Sequence, residues 1–159
     1  MPDYGVGTSS WAPLPWSWAA ERLAATRSFW FVTVSADGRP HALPVWGVWD
    51  DDEARFALFC ARRARKARNL AANPRAVVTI DDTVECLSVE GRAAPVDDAR
   101  RAERWIERYL AKYRKISPEL SADFLRGNLL VELAPERAFA VIEREEEFAT
   151  RATRWVFEP

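Results

Sequence analysis

The chain has few of the residues that build most catalytic centres and metal sites. Its 159 residues include a single histidine, His41, and only two cysteines, Cys60 and Cys86. A single histidine excludes a metal site with several histidine ligands and argues against Ser-His-Asp catalysis. Both cysteines lie in apolar runs, which favours reduced thiols in a core over a disulfide framework. We therefore expect no metal centre. His41 is interpreted as a strand-end residue without a catalytic task, and a catalytic role for it stays open as the alternative.

Long apolar runs and the common catalytic sequence motifs are also missing. No segment approaches the roughly 18 consecutive apolar residues of a membrane-spanning helix. The first ten residues contain an acid, Asp3, and no apolar stretch, which argues against a secretory signal. There is no GxGxxG, P-loop, HExxH, GxSxG or CxxC sequence. We expect a cytoplasmic protein that carries no recognisable nucleophile or nucleotide-binding loop of its own.

The size and composition of the chain indicate one globular domain. With 159 residues, 48% of them apolar, and a net charge of −1, the chain can bury a core and is too apolar for disorder. Trp11, Trp16 and Trp18 crowd the end of a segment rich in proline and glycine, where exposure to water would be costly. We predict an arm over residues 1–15, packed on its own domain or on a partner subunit, and one domain over residues 16–159.

The hydrophobic pattern predicts a mainly β, α+β domain with an antiparallel barrel. Runs of β-branched and aromatic residues alternate with turn signals, which is typical of short strands, and other segments have helix-forming composition or spacing. Ser17 is the expected cap of the first helix, and Asp97 or Asp98 that of the third. The predicted strands cover residues 29–35, 41–49, 55–60, 76–80, 84–94, 129–133 and 139–142, and the helices 17–27, 64–72 and 97–113. Six or seven strands joined by short turns, with helices outside, favour a barrel.

The strongest local signal is a cluster of positive charge between residues 54 and 80. This stretch has seven basic residues and no acid, and five of the seven lie between positions 62 and 68, where a strand ends and a helix begins. A helix N-terminus favours an anion such as phosphate, and Arg65 and Lys66 would add charged hydrogen bonds. Arg62/Lys66 and Arg65/Asn69 are pairs four residues apart, so each pair shares a helix side. A solvated basic face stays open as an alternative, whereas the net charge of −1 argues against nucleic-acid binding.

An aromatic strand precedes this cluster. Gly47, within Pro44–Trp49, leaves room for a flat group to approach the backbone, and Pro44 favours an edge strand or a strand entry. A planar ring that carries a phosphate would suit such a strand beside a helix start. The same pattern also fits an ordinary aromatic core.

Several short motifs resemble the pyridoxamine 5'-phosphate oxidase-like superfamily of flavin- and deazaflavin-dependent oxidoreductases. They keep their order and spacing over about residues 16–157. The motifs are DGRPH at 37–41, PVW at 44–46, Phe59, ARKARNL at 64–70, NP at 73–74, VEG at 89–91 and TRWVF at 153–157. The resemblance is greatest to a branch of small actinobacterial enzymes that use coenzyme F-420.

The resemblance implies an FMN-binding split β-barrel that forms a homodimer, with two cofactor sites at the subunit interface. In this family a Ser-Arg-Lys stretch after the third strand binds the cofactor phosphate, and the second strand lies along the ring. The serine is replaced by Ala64, and Cys60 and Ala61 stand where hydroxyl residues are common. The cofactor-binding residues carried over are Arg62, Arg65, Lys66 and Asn69 for the phosphate, Pro44, Val45, Trp46 and Gly47 for the ring, Phe59, Cys60 and Ala61, and Arg154 or Trp155 from the second subunit.

The activity implied by the resemblance is hydride transfer between the deazaflavin coenzyme F-420 and a small organic substrate. The surplus of basic residues fits the phosphodiester and polyglutamate tail of F-420, whereas the monophosphate of FMN, the alternative cofactor, needs fewer cations. Without an acid-base pair or a nucleophile, catalysis would rest on orientation of the substrate against the ring. A cofactor-binding protein without turnover is the other alternative, and no catalytic residue is identified.

Overall fold

The computed structural model describes residues 10–158. Within them, the last part of the predicted arm runs along the C-terminal segment: the Ala12 N–H donates to the Thr150 carbonyl at 2.8 Å, and the Leu14 N–H donates to Thr153 Oγ1 at 2.8 Å. Residues 1–9 of that arm lie outside the described part. Helix α1, Trp16–Ala25, has Pro15 at its N-cap position rather than the expected Ser17, and no side chain caps it.

The first hairpin forms one edge of the sheet. Strand β1, Ser28–Val34, pairs antiparallel with β2, Pro40–Trp46, and the connecting loop turns through Gly38 at a φ of 84°. Burial alternates along β1, because Phe29, Phe31 and Thr33 point into the barrel. The opposite residues of β2 share this direction, so His41 lies beside Thr33 in the register.

The predicted strand 41–49 is wrong in one respect, because the chain breaks at Gly47. Strand β3, Val48–Asp50, leaves β2 and pairs with β4, Arg55–Cys60. A Cβ on Gly47 would lie 2.1 Å from Cζ of Phe56 and 3.1 Å from the Ala57 carbonyl oxygen. The space expected to admit a flat ligand is therefore filled by the Phe56 ring of the same chain.

The remaining elements follow in chain order. They are α2 (Arg65–Ala72), β5 (Arg75–Ile80), β6 (Glu85–Pro95), α3 (Ala99–Tyr113), α4 (Ala122–Arg126), β7 (Leu129–Ile142), α5 (Glu145–Phe148) and β8 (Thr153–Val156). The short helices α4 and α5 are not predicted from the sequence. Asp98 caps α3 by accepting the Arg101 N–H at 2.6 Å, as one of the two expected candidates.

Strand β7 is continuous, whereas the sequence predicts two strands separated around Pro135. A register shift at Glu90/Gly91 of β6 accommodates the proline. A side chain on Gly91 would collide with the Ala134 carbonyl oxygen, at 2.0 Å from the added Cβ, so glycine permits the close approach of the two strands. The first half of β7 pairs with β4, and the second half pairs with β8.

The sheet closes into a barrel. Its strand order among the described residues is β2-β1-β5-β6-β7-β4-β3, with β8 added on β7, and all neighbours are antiparallel. Strands β2 and β3 are the two edges of this order, yet only Gly47 separates them in the chain. The edges must therefore meet, which confirms the predicted barrel of antiparallel strands with flanking helices.

Two hydrophobic clusters hold the fold together. One fills the barrel and includes Phe29, Phe31 and Phe56. The other lies between the outside of the barrel and helices α3 and α4, and it is formed around Tyr113 and Trp105. None of the described helices is long and apolar enough to cross a membrane.

We predict that Gly47→Ala destabilises the fold. The added methyl group collides with Phe56 inside a packed barrel, and overpacking of this kind costs about 1–3 kcal/mol. Urea unfolding measures the loss. Gly127→Ala is the matched control, because its Cβ would meet nothing closer than 3.4 Å, and it should be neutral or stabilising. Equal stabilities of the two variants would contradict the proposed role of Gly47.

Candidate functional site

Helix α2 begins without any side-chain cap. Its N-cap residue is Ala64, which makes no side-chain hydrogen bond, and the first turn contains no acid. Arg65 and Lys66 occupy that turn, and neither forms an ion pair with an acid in the described part of the chain. Unsatisfied N–H groups and unpaired cations therefore meet at one point, which is a favourable environment for an anion.

The buried side of α2 fixes the helix against the barrel. Asn69 Nδ2 donates to Thr33 Oγ1 of β1 at 2.9 Å, and both residues are at least 95% buried. Because Asn69 and Arg65 are four residues apart, this bond also turns Arg65 towards β2. The guanidinium Nη1 of Arg65 lies 3.4 Å from Nε2 and 3.5 Å from Nδ1 of His41.

Two pockets meet at the contact between His41 and Arg65. The first, here called the polar pocket, has a volume of about 250 Å³, and the second, the strand pocket, has a volume of about 290 Å³. The polar pocket is lined by Ser35, Asp37, Arg39, His41, Arg65, Arg68 and Asn69. The strand pocket is lined by Phe31, Thr33, His41, Ala42, Leu43, Arg65 and Lys66. A charged compartment thus adjoins a more apolar one.

Positive charge dominates the polar pocket. Three arginines line it against one acid, Asp37. The Ser35 hydroxyl donates to the Asp37 carboxylate and lowers the pKa of that group, so the carboxylate stays ionised. Asp37 also lies 3.8 Å from Arg39. At least two of the three guanidinium groups, those of Arg65 and Arg68, have no acidic partner among the described residues.

Hydrogen bonds shape the loop between β4 and α2. Nη1 of Arg68 donates to the Arg63 carbonyl at 2.7 Å, and the Ala64 N–H donates to the Ala61 carbonyl at 2.9 Å. Cys60 ends β4 inside the barrel core, where burial raises the pKa of its thiol while Lys66 opposes the rise. Cys60 is therefore a neutral core thiol beside the cationic loop.

Several of the residues assigned from the resemblance lie away from these two pockets. Arg62 and Phe59 line a third pocket, on the side of α3 and α4. Trp46 stacks on Tyr113 of α3, with ring centroids 4.6 Å apart and an interplanar angle of 2°. Gly47 donates its N–H to the Tyr113 hydroxyl at 2.8 Å. Of the assigned strand, Val45 packs against the barrel core and Pro44 is exposed on the outer face.

The C-terminal residues assigned to the cofactor lie on β8. The Trp155 ring packs edge-on against Trp16 of its own chain, with centroids 5.5 Å apart. Arg154 is exposed and stands opposite Phe139 in the register. Neither residue lines the polar pocket or the strand pocket of its own chain, so a contact with a cofactor from a second subunit stays a prediction.

The sequence-based prediction brings together Arg65, Lys66 and Asn69 but misses the contribution of the first hairpin. Thr33, Ser35, Asp37 and Arg39 join the site because β1 lies against α2. Part of this set is accessible from the sequence, because pairing the two strands of the predicted first hairpin places Thr33 opposite His41. The pairing of α2 with β1 has no local signal in the sequence.

A comparison with family models identifies the family of this chain. A model described as pyridoxamine 5'-phosphate oxidase matches residues 18–142. The chain belongs to this family. A curated relative, the pyridoxine/pyridoxamine 5'-phosphate oxidase of Anaeromyxobacter dehalogenans, is 42% identical over 69 residues, which are 42% of this chain and 34% of the relative. The chain thus spans about a third of the length of that relative.

Solved structures of the same fold have different descriptions. A conserved hypothetical protein of Mycobacterium tuberculosis aligns with a TM-score of 0.71 and 19% identity, over 86% of this chain and 89% of the other. HutZ, described as the heme storage protein of Vibrio cholerae, aligns with a TM-score of 0.64 and 23% identity, over 78% and 92%. At these identities the similarity establishes the split-barrel fold alone.

We predict that Ala64→Ser stabilises the protein. A serine at this N-cap position would accept an N–H of the first turn of α2, which is worth about 0.5–2 kcal/mol. Urea unfolding measures the gain. Ala61→Ser, in the same loop but outside the cap position, is the control and should leave stability unchanged. An equal effect of the two substitutions would show that the cap is not what limits α2.

Proposed function

We propose that the protein is an oxidoreductase that binds the deazaflavin coenzyme F-420 and uses it for hydride transfer with a small organic molecule. The observation that carries this proposal is the set of unpaired cations at the uncapped start of α2, next to a pocket lined by two barrel strands. Such a set suits the phosphate of a cofactor whose planar ring lies against the strands. Family membership supports redox chemistry.

The charge of the polar pocket favours F-420 over a simple monophosphate. Arg65 and Lys66, together with the helix N–H groups, are sufficient partners for one phosphate. Arg39 and Arg68 add positive charge on the far side of Arg65. A cofactor with a phosphodiester and a chain of carboxylates would place anions beside these additional cations, whereas FMN carries one phosphate alone.

FMN is the second candidate cofactor, and the family supports it. The matching family model and the curated relative are both named after pyridoxamine 5'-phosphate oxidase activity. The relationship to a heme storage protein adds heme as a ligand for the binding experiment. The only histidine, His41, faces Arg65, so a heme ligated by His41 would have to displace that contact.

The chain's own residues would contribute binding and orientation. When bound, the deazaflavin supplies a hydride donor or acceptor. Arg65 and Lys66 would hold the phosphate, and the bond between Asn69 and Thr33 would keep α2 in a fixed position relative to β1. Phe31 and Leu43 give the strand pocket apolar surface against which a planar ring would pack. Precise placement of the ring is then the main source of rate enhancement.

We also propose that the protein is a homodimer that joins through the outer face of the sheet. Two rows of residues that lie opposite one another on β2, β1, β5, β6 and β7 cross this face, and both rows contain apolar residues. The first row is Pro44, Trp30, Thr79, Ser88 and Phe139, and the second is Ala42, Val32, Val77, Glu90 and Arg137. Trp30 is 44% exposed and Phe139 is 39% exposed, and large apolar side chains exposed on one sheet face favour a partner. The cofactor sites would lie at the border of this interface, where the edge strand β2 carries pocket residues on one side and interface residues on the other.

We predict that Arg65→Ala combined with Lys66→Ala weakens F-420 binding about a hundredfold or more. Each substitution removes a charged hydrogen bond to phosphate, worth about 1.5–3 kcal/mol. Titrations of the purified protein with F-420, FMN and heme, followed by fluorescence and absorbance, give the affinities. Oxidation of reduced F-420 by candidate quinone-like acceptors then tests turnover.

The matched control is Arg100→Ala combined with Arg114→Ala, because both side chains are exposed, one in the first turn of α3 and one at its C-cap, and form no ion pair within the described chain. Arg101 is unsuitable as a control, since it pairs with Glu132 at 2.6 Å. The cofactor assignment is overturned if the site variant and the control bind F-420 equally well. Tighter binding of FMN than of F-420 would establish the second candidate instead.

We predict that Val32→Lys dissociates the homodimer into monomers and weakens cofactor binding. The substitution places a charge at the centre of the apolar outer face, between Ala42 and Val77. Sedimentation velocity measures the change. Ala111→Lys on the exposed side of α3 adds the same charge elsewhere and should leave the dimer intact. A wild-type protein that sediments as a monomer at micromolar concentration would refute the proposal.

A further inference from the structure

A third pocket lies on the other side of the loop between β4 and α2. It has a volume of about 320 Å³, which is within the range of small-molecule sites. The loop, the start of β7 and helices α3 and α4 enclose it. Its lining comprises Phe59, Arg62, Val96, Asp97, Ala99, Ala102, Glu103, Ile106, Leu125, Arg126, Asn128, Leu129 and Leu130.

The floor of this pocket is apolar and well ordered by packing. Ile106, Leu125 and Leu130 are at least 95% buried and belong to the cluster between the barrel and α3. Phe59 is fixed beside them by an edge-on contact with Tyr109, at a centroid distance of 5.0 Å. These side chains offer an apolar body a preformed surface, so binding would require little reorganisation.

Most of the charge at the rim is already compensated. Arg126 donates to both carboxylate oxygens of Glu103 at 2.8 Å and to Asp123 at 2.8 Å. Asp97 directly precedes Asp98, the cap of α3, and a negative charge near a helix N-terminus is stabilising. These interactions account for the charged residues of the lining other than Arg62.

Arg62 is the charged group that these contacts leave unexplained. It is exposed, it lines the pocket, and it forms no ion pair or side-chain hydrogen bond in the described structure. It is absent from the lining of the polar and strand pockets. A guanidinium group is a planar donor that matches a carboxylate with two parallel hydrogen bonds.

We propose that this third pocket binds a small organic carboxylate with an aromatic or aliphatic body. The body would lie on Ile106 and Leu125, and the carboxylate would accept hydrogen bonds from Arg62 at the rim. The inference is independent of which cofactor occupies the α2 site, because it uses a different set of residues. Asp97 would oppose the bound carboxylate, so the two rim residues should act in opposite directions.

The experiment titrates the protein with naphthoate and with its uncharged analogue naphthalenemethanol. Isothermal calorimetry gives the affinities, and methyl NMR of Ile106, Leu125 and Leu130 locates the ligand. Naphthoate should bind the wild-type protein more tightly than the alcohol. Arg62→Gln should weaken naphthoate binding about tenfold or more, because it removes the charged hydrogen bonds to the carboxylate. Asp97→Asn should strengthen it about two- to fivefold.

Two pairs of variants control for side effects. Arg63→Gln removes an equal charge from the neighbouring position, which does not line the pocket, and should change naphthoate affinity little. Ala102→Phe should fill the pocket and abolish binding of both compounds, whereas Ala111→Phe on the exposed side of α3 should not. Thermal unfolding confirms that each variant is folded.

Three results would overturn the proposal. One is an absence of saturable naphthoate binding to the wild-type protein. Another is an equal loss of affinity in Arg62→Gln and Arg63→Gln, which would indicate a general charge effect. The third is ligand-induced shifts confined to residues outside the pocket. None of these results depends on F-420 or FMN binding, so failure here and failure of the cofactor assignment can be told apart.

Discussion

The close packing of Gly47 against Phe56 is the constraint on which the rest of the structure depends. Only a residue without a side chain lets β2 pass into β3 while the Phe56 ring fills the barrel beneath it. Helix α3 completes this junction: Tyr113 Oη accepts the Gly47 N–H, and Nζ of Lys112 donates to the Gly47 carbonyl at 3.0 Å. Burial lowers the pKa of Lys112 to about 8, so holding this ammonium group in place has an energetic cost. The junction closes the sheet and fixes α3 on its outer side.

Closure of the barrel determines which residues can share a site. Along β2, His41 faces the barrel interior beside Thr33, and the alternate residue Ala42 faces outwards. Helix α2 packs on the interior side through Asn69, so its cations meet His41. The outward-facing residues of β2 belong to the outer face of the sheet, which is the face proposed for the dimer. Successive side chains of β2 point to opposite faces of the sheet. The proposed cofactor pocket therefore lies on one face of this strand and the proposed dimer interface on the other.

Local patterns predict those parts of the fold and of the site that depend on neighbours in sequence. The start of α2 and its cations are of this kind, because Arg65, Lys66 and Asn69 lie within one turn and a half of a helix. The positions of Phe59 and Arg62 are not predictable in this way. Which side of β4, or of the loop after it, each residue faces depends on how α3 packs outside the barrel. The continuity of β7 likewise depends on a bulge in another strand, at Glu90/Gly91. Tertiary contacts of this type leave no periodic signal in one segment.

The loop of residues 61–64 is the place where the two proposed ligand sites come closest in sequence. Arg62 faces the third pocket, and Arg65 begins the helix that faces the polar pocket. The bond from Arg68 to the Arg63 carbonyl, 2.7 Å long, links the loop to the helix. A serine cap would have fixed the same turn locally. With Ala64 in that position, the side-chain bond of Arg68 takes the place of a cap in linking the loop to α2, and a ligand held by Arg62 would contact the same short loop.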